Sequence, residues 1–349
     1  MAASTPDFVE IDGNPRPKGL TGGWLTLRDG KRLRYALARP ERTARGTVLL
    51  LAGRNETIEK YFETIGDLTA RGFGVAIFDW RGQGGSDRQI RNVSRGYIDR
   101  METYVSDLET FVESVLERDC RPPYVILAHS MGGLVALAAV PRLVRRFERM
   151  VLSAPLVAVG QGAPGRGATA LLARTMRWTG FGRVPLRRIE RSGGGAPAYN
   201  RLTSDPARAD RNRRLVEAAP HLFVRNLTAR WLDVCFGEMR RLDDSDVVAT
   251  LHLPTLFVTA GDDRVVSSAR AERLAWRMRS GHFLTIPGAR HELLQERDAF
   301  REQLLAAFEG FVSSVMPVAP AAGSEEAVLR ELEALKDSVA EDGTAALSR

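Results

Sequence analysis

The sequence predicts an α/β protein: a mostly parallel sheet flanked by helices and interrupted by one long insertion. Three observations lead there. Short, continuous apolar runs such as "GTVLLLAG" (46–53) and "FGVAIFDW" (73–80) have the pattern of strands covered on both faces. Segments with helical spacing alternate with them. This rhythm stops after "RMVLSAP" (149–155) and resumes with "TLFVTAGDDRVV" (255–266), so the sheet continues beyond the break.

Taken in order, "GWLTLRDGKRLRYALA" alternates in polarity around Asp29-Gly30, a hairpin signal. Between the first two apolar runs, "YFETIGDLTARG" can form a helix closed by Gly72. Tyr104, Leu108, Phe111, Val112 and Val115 repeat at helical spacing and lead into the strand "YVILAHS". After the insertion come a helix near residues 268–280, the strand "HFLTIPGA", and a final helix in which Phe300, Leu304, Phe308, Phe311 and Val312 share one face. The expected organisation is an N-terminal extension (1–23), a core of residues 24–154 and 251–315, and a cap inserted after the sixth strand (155–250). An Ala/Pro linker with one short amphipathic helix (316–349) completes it. No internal repeat is visible.

At 349 residues, 44% hydrophobic and 27% charged, the chain can bury a large core and is neither fibrous nor disordered in composition. Its longest apolar run, "LVALAAV", is far below the roughly 20 residues that a bilayer crossing needs. The N-terminus lacks the basic start and apolar stretch of a secretion signal, and Cys120 and Cys235 form no metal-type spacing. A cytoplasmic location with reduced thiols follows as an expectation. The net charge is +7. Residues 155–250 carry sixteen Arg, no Lys and nine acidic residues, which accounts for the entire excess. No nucleic-acid motif accompanies this charge, so no nucleic-acid partner is expected.

"LAHSMGG" (127–133) places a serine where a strand runs into a helix. The pattern approximates G-x-S-x-G, a sharp turn that lifts a serine above the sheet edge, with Ala128 in place of the first glycine. Small residues at such a junction also occur for close packing alone. A serine hydroxyl needs a base to take its proton and an acid to orient that base. In this arrangement they follow in the order serine, acid, histidine, each after a later strand. Asp262 and Asp263 both follow "TLFVTAG", and His291 follows "FLTIPGAR". The remaining histidines, His129, His221, His252 and His282, suit structural roles better. An oxyanion hole needs the amide after the serine, that of Met131, and one from the loop after the third strand, which points to Arg54.

Five segments, "LAGRNETIEKY", "FDWRGQGGSDR", "LAHSMGG", "AGDDRVV" and "GARHELLQERD", occur together and in order. They resemble the bacterial lysophospholipase and monoacylglycerol lipase group of α/β hydrolases over about residues 24–314. The resemblance implies a triad of Ser130, Asp263 and His291, and selects Asp263 over Asp262. It further implies that Glu56 and Tyr61 shape the oxyanion loop, that Asp79, Arg81 and Asp87 serve structure, and that Trp231 contacts substrate if it is not a core residue. The usual His-Gly before the oxyanion loop is Ala52-Gly53 here, as in the lysophospholipase branch.

What the resemblance implies is a serine hydrolase that cleaves a lipid ester, lysophospholipid or monoacylglycerol, through an acyl-enzyme without metal or organic cofactor. A general carboxylesterase or peptidase is the alternative, and a non-catalytic binding protein ranks lower. The arginines of the cap read as a solvated face, as partners for a phosphodiester head group, or as a peripheral contact with the inner face of an anionic membrane.

Overall fold

The computed structural model describes residues 5–41, 44–160, 166–186, 201–224 and 226–316. The linker and helix expected over 316–349 lie outside these residues, except for Met316, which is buried in the core.

Eight strands form one twisted sheet in the order β1-β2-β4-β3-β6-β7-β9-β10. The hairpin β1 (Thr21–Thr26) and β2 (Arg32–Ala38) is antiparallel, with Thr26 opposite Arg32, and β2 also runs antiparallel to β4 (Gly74–Phe78). Every other pairing is parallel, through β3 (Thr47–Leu51), β6 (Tyr124–His129), β7 (Arg149–Ser153), β9 (Thr255–Ala260) and β10 (Gly281–Ile286). A separate two-stranded pair joins β5 (Arg95–Gly96) to β8 (Asn226–Leu227). The expected fold class is thus observed. The hairpin turn closes through the amide of Gly30 donating to the Leu27 carbonyl, with φ +78° at Gly30, a value that glycine adopts without strain.

The continuous apolar runs have a simple cause. Along β4, Val75 and Ile77 face one hydrophobic layer while Ala76 and Phe78 face the other, so neither face tolerates a polar residue. Helices α1 (Phe62–Ala70) and α9 (Asp298–Val312) cover the first layer, and α2 (Met101–Phe111), α3 (Met131–Leu143) and α8 (Ser268–Arg277) cover the second. Strand β1 starts at Thr21, three residues inside the segment expected to be an extension, because its backbone pairs with β2 regardless of two glycines. Upstream of it, Phe8 packs edge-on against Phe62 and the Asn14 side chain donates to the Glu59 carbonyl at 3.0 Å.

Between β7 and β9, the described residues form α4 (Arg166–Trp178), α5 (Pro206–Ala218), β8, α6 (Ala229–Arg241) and α7 (Ser245–Ala249). Asp205 caps α5 by accepting from the Arg208 amide, and Thr228 caps α6 by accepting from the Trp231 amide. Arg208 and Arg211 tie α5 down: both guanidinium groups meet Glu63 on α1, and Arg208 also reaches the Glu296 carbonyl and Asp298.

One buried charge cluster joins the loops at the top of the sheet. Arg34 on β2 grips Glu59 with two nitrogens at 2.7 and 2.8 Å and Asp79 with Nε at 2.7 Å. Asp79 in turn accepts from the amides of Ile58 (3.0 Å) and Gly85 (2.8 Å), so the loop after β3 and the loop after β4 share one anchor. Arg81 holds Asp107 through two contacts of 2.7 Å, and Asp87 accepts from the Arg32 amide at 2.9 Å. Replacing Arg34 with Met would leave Glu59 and Asp79 buried without their counter-charge. The expected cost is about 3–5 kcal/mol, read as a lower urea midpoint at unchanged m-value.

Candidate active site

Strand β6 ends at His129, and α3 begins at Met131. Ser130 between them takes φ +51° and ψ −113°, a conformation that costs a non-glycine residue roughly 1–3 kcal/mol. Surrounding bonds enforce it. The Ser130 amide donates to the Ser153 carbonyl at 3.1 Å, and the Ser130 carbonyl accepts from the amides of Gly133 (3.0 Å) and Leu156 (2.9 Å). A Cβ at position 132 would lie 2.5 Å from the Leu51 carbonyl oxygen and 2.7 Å from that of Ala52, and one at 133 would lie 2.9 Å from Pro155. The helix therefore starts directly against the end of β3, and this close approach is why glycines follow Met131. Ala128 is fully buried between Leu51 and Leu152, where a methyl group is accommodated.

His291 and Asp263 reach the same point from the ends of β10 and β9. His291 Nε2 stands 3.0 Å from Ser130 Oγ, and Nδ1 stands 2.8 Å from Asp263 Oδ2. The other Asp263 oxygen accepts from the amides of Val265 (2.8 Å) and Val266 (2.9 Å). Burial acts to raise the pKa of this carboxyl, but the bond from His291 and the two amides hold it below its ordinary value. A charged Asp263 accepts a hydrogen bond from Nδ1–H and so keeps the proton on that nitrogen, which leaves Nε2 to accept from the serine hydroxyl. Asp262 instead turns outward: its carboxylate pairs with Arg264 at 3.2 Å and its amide donates to the Ala289 carbonyl.

The loop after β3 bends over this relay. The Gly53 amide donates to Glu56 and the Asn55 amide donates to Gln83 Oε1, so the residues on both sides of Arg54 are fixed. Glu56 also accepts from Tyr61 (2.5 Å) and Lys60 (2.7 Å). Lys60 bridges to Glu292, the neighbour of His291, at 2.7 Å. Burial favours the neutral forms here, yet the Lys60 ammonium and the Tyr61 hydroxyl hold Glu56 well below the usual carboxylate range, while Glu292 and Glu56 hold Lys60 protonated.

His129 packs its ring 4.9 Å from that of His291 and donates from Nδ1 to the Ser153 carbonyl at 3.1 Å. Burial pushes its pKa down to about 4 against the pull of Glu56, so this imidazole stays neutral and offers the triad no competing charge. His252 and His282 are exposed, with His282 against Phe311. His221 lies on the short turn Pro220–Leu222, where its carbonyl accepts from Arg88.

A cavity of about 280 Å³ opens on the relay. Ser130, His291, Arg54 and Glu56 border it on one side; Leu215, Val216 and Arg213 of α5, with Phe223, face them. Trp231 does not border it. Its ring is buried in the layer shared with Tyr104 and Leu232, and it is a core residue. The sequence reading assigned no role to Lys60, Glu292 or Gln83, because the Lys60–Glu292 and Gln83–Asn55 contacts join segments that meet only in the fold.

Residues 42–298 match the family model described as serine aminopeptidase, S33. The chain belongs to this family. Among curated relatives, lysophospholipase L2 of Escherichia coli is 31% identical over 76% of this chain and 79% of its own length. A probable lysophospholipase L2 of Haemophilus influenzae is 29% identical over 79% of this chain and 87% of its own. The structure superposes on a soluble variant of monoglyceride lipase from Saccharomyces cerevisiae with a TM-score of 0.72, covering 89% of this chain and 99% of the other at 19% identity. That likeness is one of fold, the α/β-hydrolase arrangement of sheet and helices.

The neutral His129 carries a pH signature. Its ordinary pKa of 6.5 belongs to the unfolded chain, so below that pH the unfolded state takes up a proton that the folded state refuses. Stability is expected to fall by about 3 kcal/mol as the pH drops from 6.5 to 4. Thermal midpoints of His129→Gln measured over that window should lose this part of the decline.

Proposed function

We propose that the protein hydrolyses a carboxylic ester of a lipid, a lysophospholipid or a monoacylglycerol, through an acyl-enzyme. One observation carries this reading: a continuous relay from Ser130 through His291 to Asp263 at the base of a cavity walled by both apolar and cationic side chains. His291 takes the serine proton as Oγ attacks the ester carbonyl, and then returns it to the departing alcohol. The amides of Met131 and Arg54 stabilise the oxyanion, each such donor being worth about 3 kcal/mol. Water activated by the same imidazole releases the fatty acid. The curated relatives named as lysophospholipases support the lipid substrate.

The family's description favours a second reading, hydrolysis of peptides from a free amino terminus. The carboxylates that border the cavity among the described residues, Glu56 and Glu292, are both bound to Lys60, which speaks against capture of a substrate ammonium. A panel of lysophosphatidylcholine, monoacylglycerol, p-nitrophenyl acyl esters and aminoacyl amides separates the two. Ester turnover is expected to exceed amide turnover, and the reverse order would overturn the lipid reading. Labelling by a fluorophosphonate should disappear in Ser130→Ala; a labelled variant would mean another nucleophile.

Residues 155–250 serve in this reading as a cap over the core of 24–154 and 251–315, and the cap is also the membrane contact. Leu171, Leu172, Trp178 and Phe181 are 50–76% exposed, and the exposed Arg174 and Arg183 stand among them. Apolar side chains within a basic rim suit insertion into an anionic lipid surface. No helix among the described residues is long and apolar enough to cross a membrane. The protein is expected to float with phosphatidylglycerol vesicles more than with phosphatidylcholine vesicles. Trp178→Ala combined with Phe181→Ala should abolish flotation while short soluble esters are still cleaved; unchanged flotation would place the contact elsewhere.

A further inference from the structure

We propose that Asn55 is a positioning residue that ties the Arg54 amide to the far wall of the cavity, so that oxyanion stabilisation depends on how that wall is seated. The inference rests on the hydrolase reading above, in which the Arg54 amide faces the oxyanion.

Asn55 holds φ +60°, a left-handed conformation that asparagine tolerates better than most side chains. Two bonds set it there. Its amide donates to Gln83 Oε1, and its side-chain Oδ1 accepts from the Val224 amide at 2.7 Å. The two contacts lead in different directions. Gln83 points back into the core, where its Nε2 lies 3.4 Å from the Tyr104 hydroxyl and 3.5 Å from Met131 Sδ. One amide side chain thus touches the neighbourhoods of both proposed oxyanion donors.

Val224 points the other way. It is buried and follows Phe223, whose ring borders the cavity and packs with Leu215 of α5. Leu215 and Phe223 give that wall an apolar surface for an acyl tail. A shift of Phe223 moves the Val224 amide, and the Val224 amide holds Asn55 next to Arg54. The geometry an oxyanion donor must keep is strict, since misplacement by about 1 Å can cost a hundredfold in rate. The wall proposed to touch the tail and the loop proposed to stabilise the reacting carbonyl are therefore joined by the hydrogen bond between Val224 and Asn55.

The test removes this bond from each side. Asn55→Gly keeps the left-handed backbone free of strain and deletes the acceptor; Val224→Pro deletes the donor, and the extended ψ of 138° at Phe223 suits a following proline. On a long-chain p-nitrophenyl ester, each variant should lower kcat by about ten- to a hundredfold with KM within about twofold, and the double variant should be no slower than the slower single. A kcat within about twofold of wild type in Asn55→Gly, or losses that multiply in the double variant, would overturn the proposal. Should Val224→Pro fail to fold, the kcat-against-KM split of Asn55→Gly decides alone, because a merely structural loss would change the melting midpoint and leave turnover per folded molecule intact. Fluorophosphonate labelling of Ser130→Ala, run in parallel, separates failure of this coupling from failure of the hydrolase reading beneath it.

Discussion

The architecture of the site depends on how closely α3 approaches β3. With no side chain at 132, the first turn of the helix rests on the carbonyl oxygens of Leu51 and Ala52. This contact brings two chain segments together: the serine at the head of the helix and the loop that leaves the strand. A methyl group at 132 would meet these carbonyl oxygens at 2.5 and 2.7 Å, so the helix and the strand end could not keep this separation. The strain at Ser130 belongs to the same constraint. A residue at φ +51° persists because four backbone hydrogen bonds around it have no other geometry available.

Around that contact, buried charge acts as scaffolding. Arg34 with Glu59 and Asp79, and Lys60 with Glu56 and Glu292, are two compact clusters in which each charge faces its opposite. Such groups lose hydration on burial, so their stabilisation of the fold over apolar replacements is small. Their contribution is geometric. A carboxylate that accepts from several amides fixes loop backbone that has no strand or helix to hold it, as Asp79 does for Ile58 and Gly85 and Glu56 does for Gly53. The neutral His129 complements them, since a charged imidazole there would lie against the ring of His291.

Much of this was legible in the sequence for a definite reason. Ser130, Asp263 and His291 each follow a strand that reads clearly as a short apolar run, and in a parallel sheet all such strand ends meet at one edge. The structure brings the three side chains within hydrogen-bonding distance. Lys60, Glu292 and Gln83 carry no such mark. Each is an ordinary polar residue whose partner is set by tertiary packing, and Lys60 and Glu292 are more than two hundred positions apart. The resemblance alone suggested a substrate contact for Trp231, while its size suited a core residue better, and its side chain is buried in the core. The helices between β7 and β9 were obscured by arginine, which favours helix but breaks up the apolar periodicity that reveals one.

Ser130 and His291 are separated by 161 positions, and most of the intervening chain leaves the sheet at Ser153 and re-enters it at Thr255. The parallel pairing of β7 with β9, with Met150 opposite Thr255 and Ser153 opposite Val258, fixes where the chain leaves and where it returns whatever lies between. Closing a long loop costs entropy only as the logarithm of its length, so doubling the excursion would cost about 0.6 kcal/mol. Chain added or removed there leaves the proton relay where it is. The sheet therefore keeps Ser130, Asp263 and His291 together while the excursion is rewritten, and any rewriting that leaves Phe223 and Val224 seated beside Asn55 can alter substrate choice without altering bond cleavage.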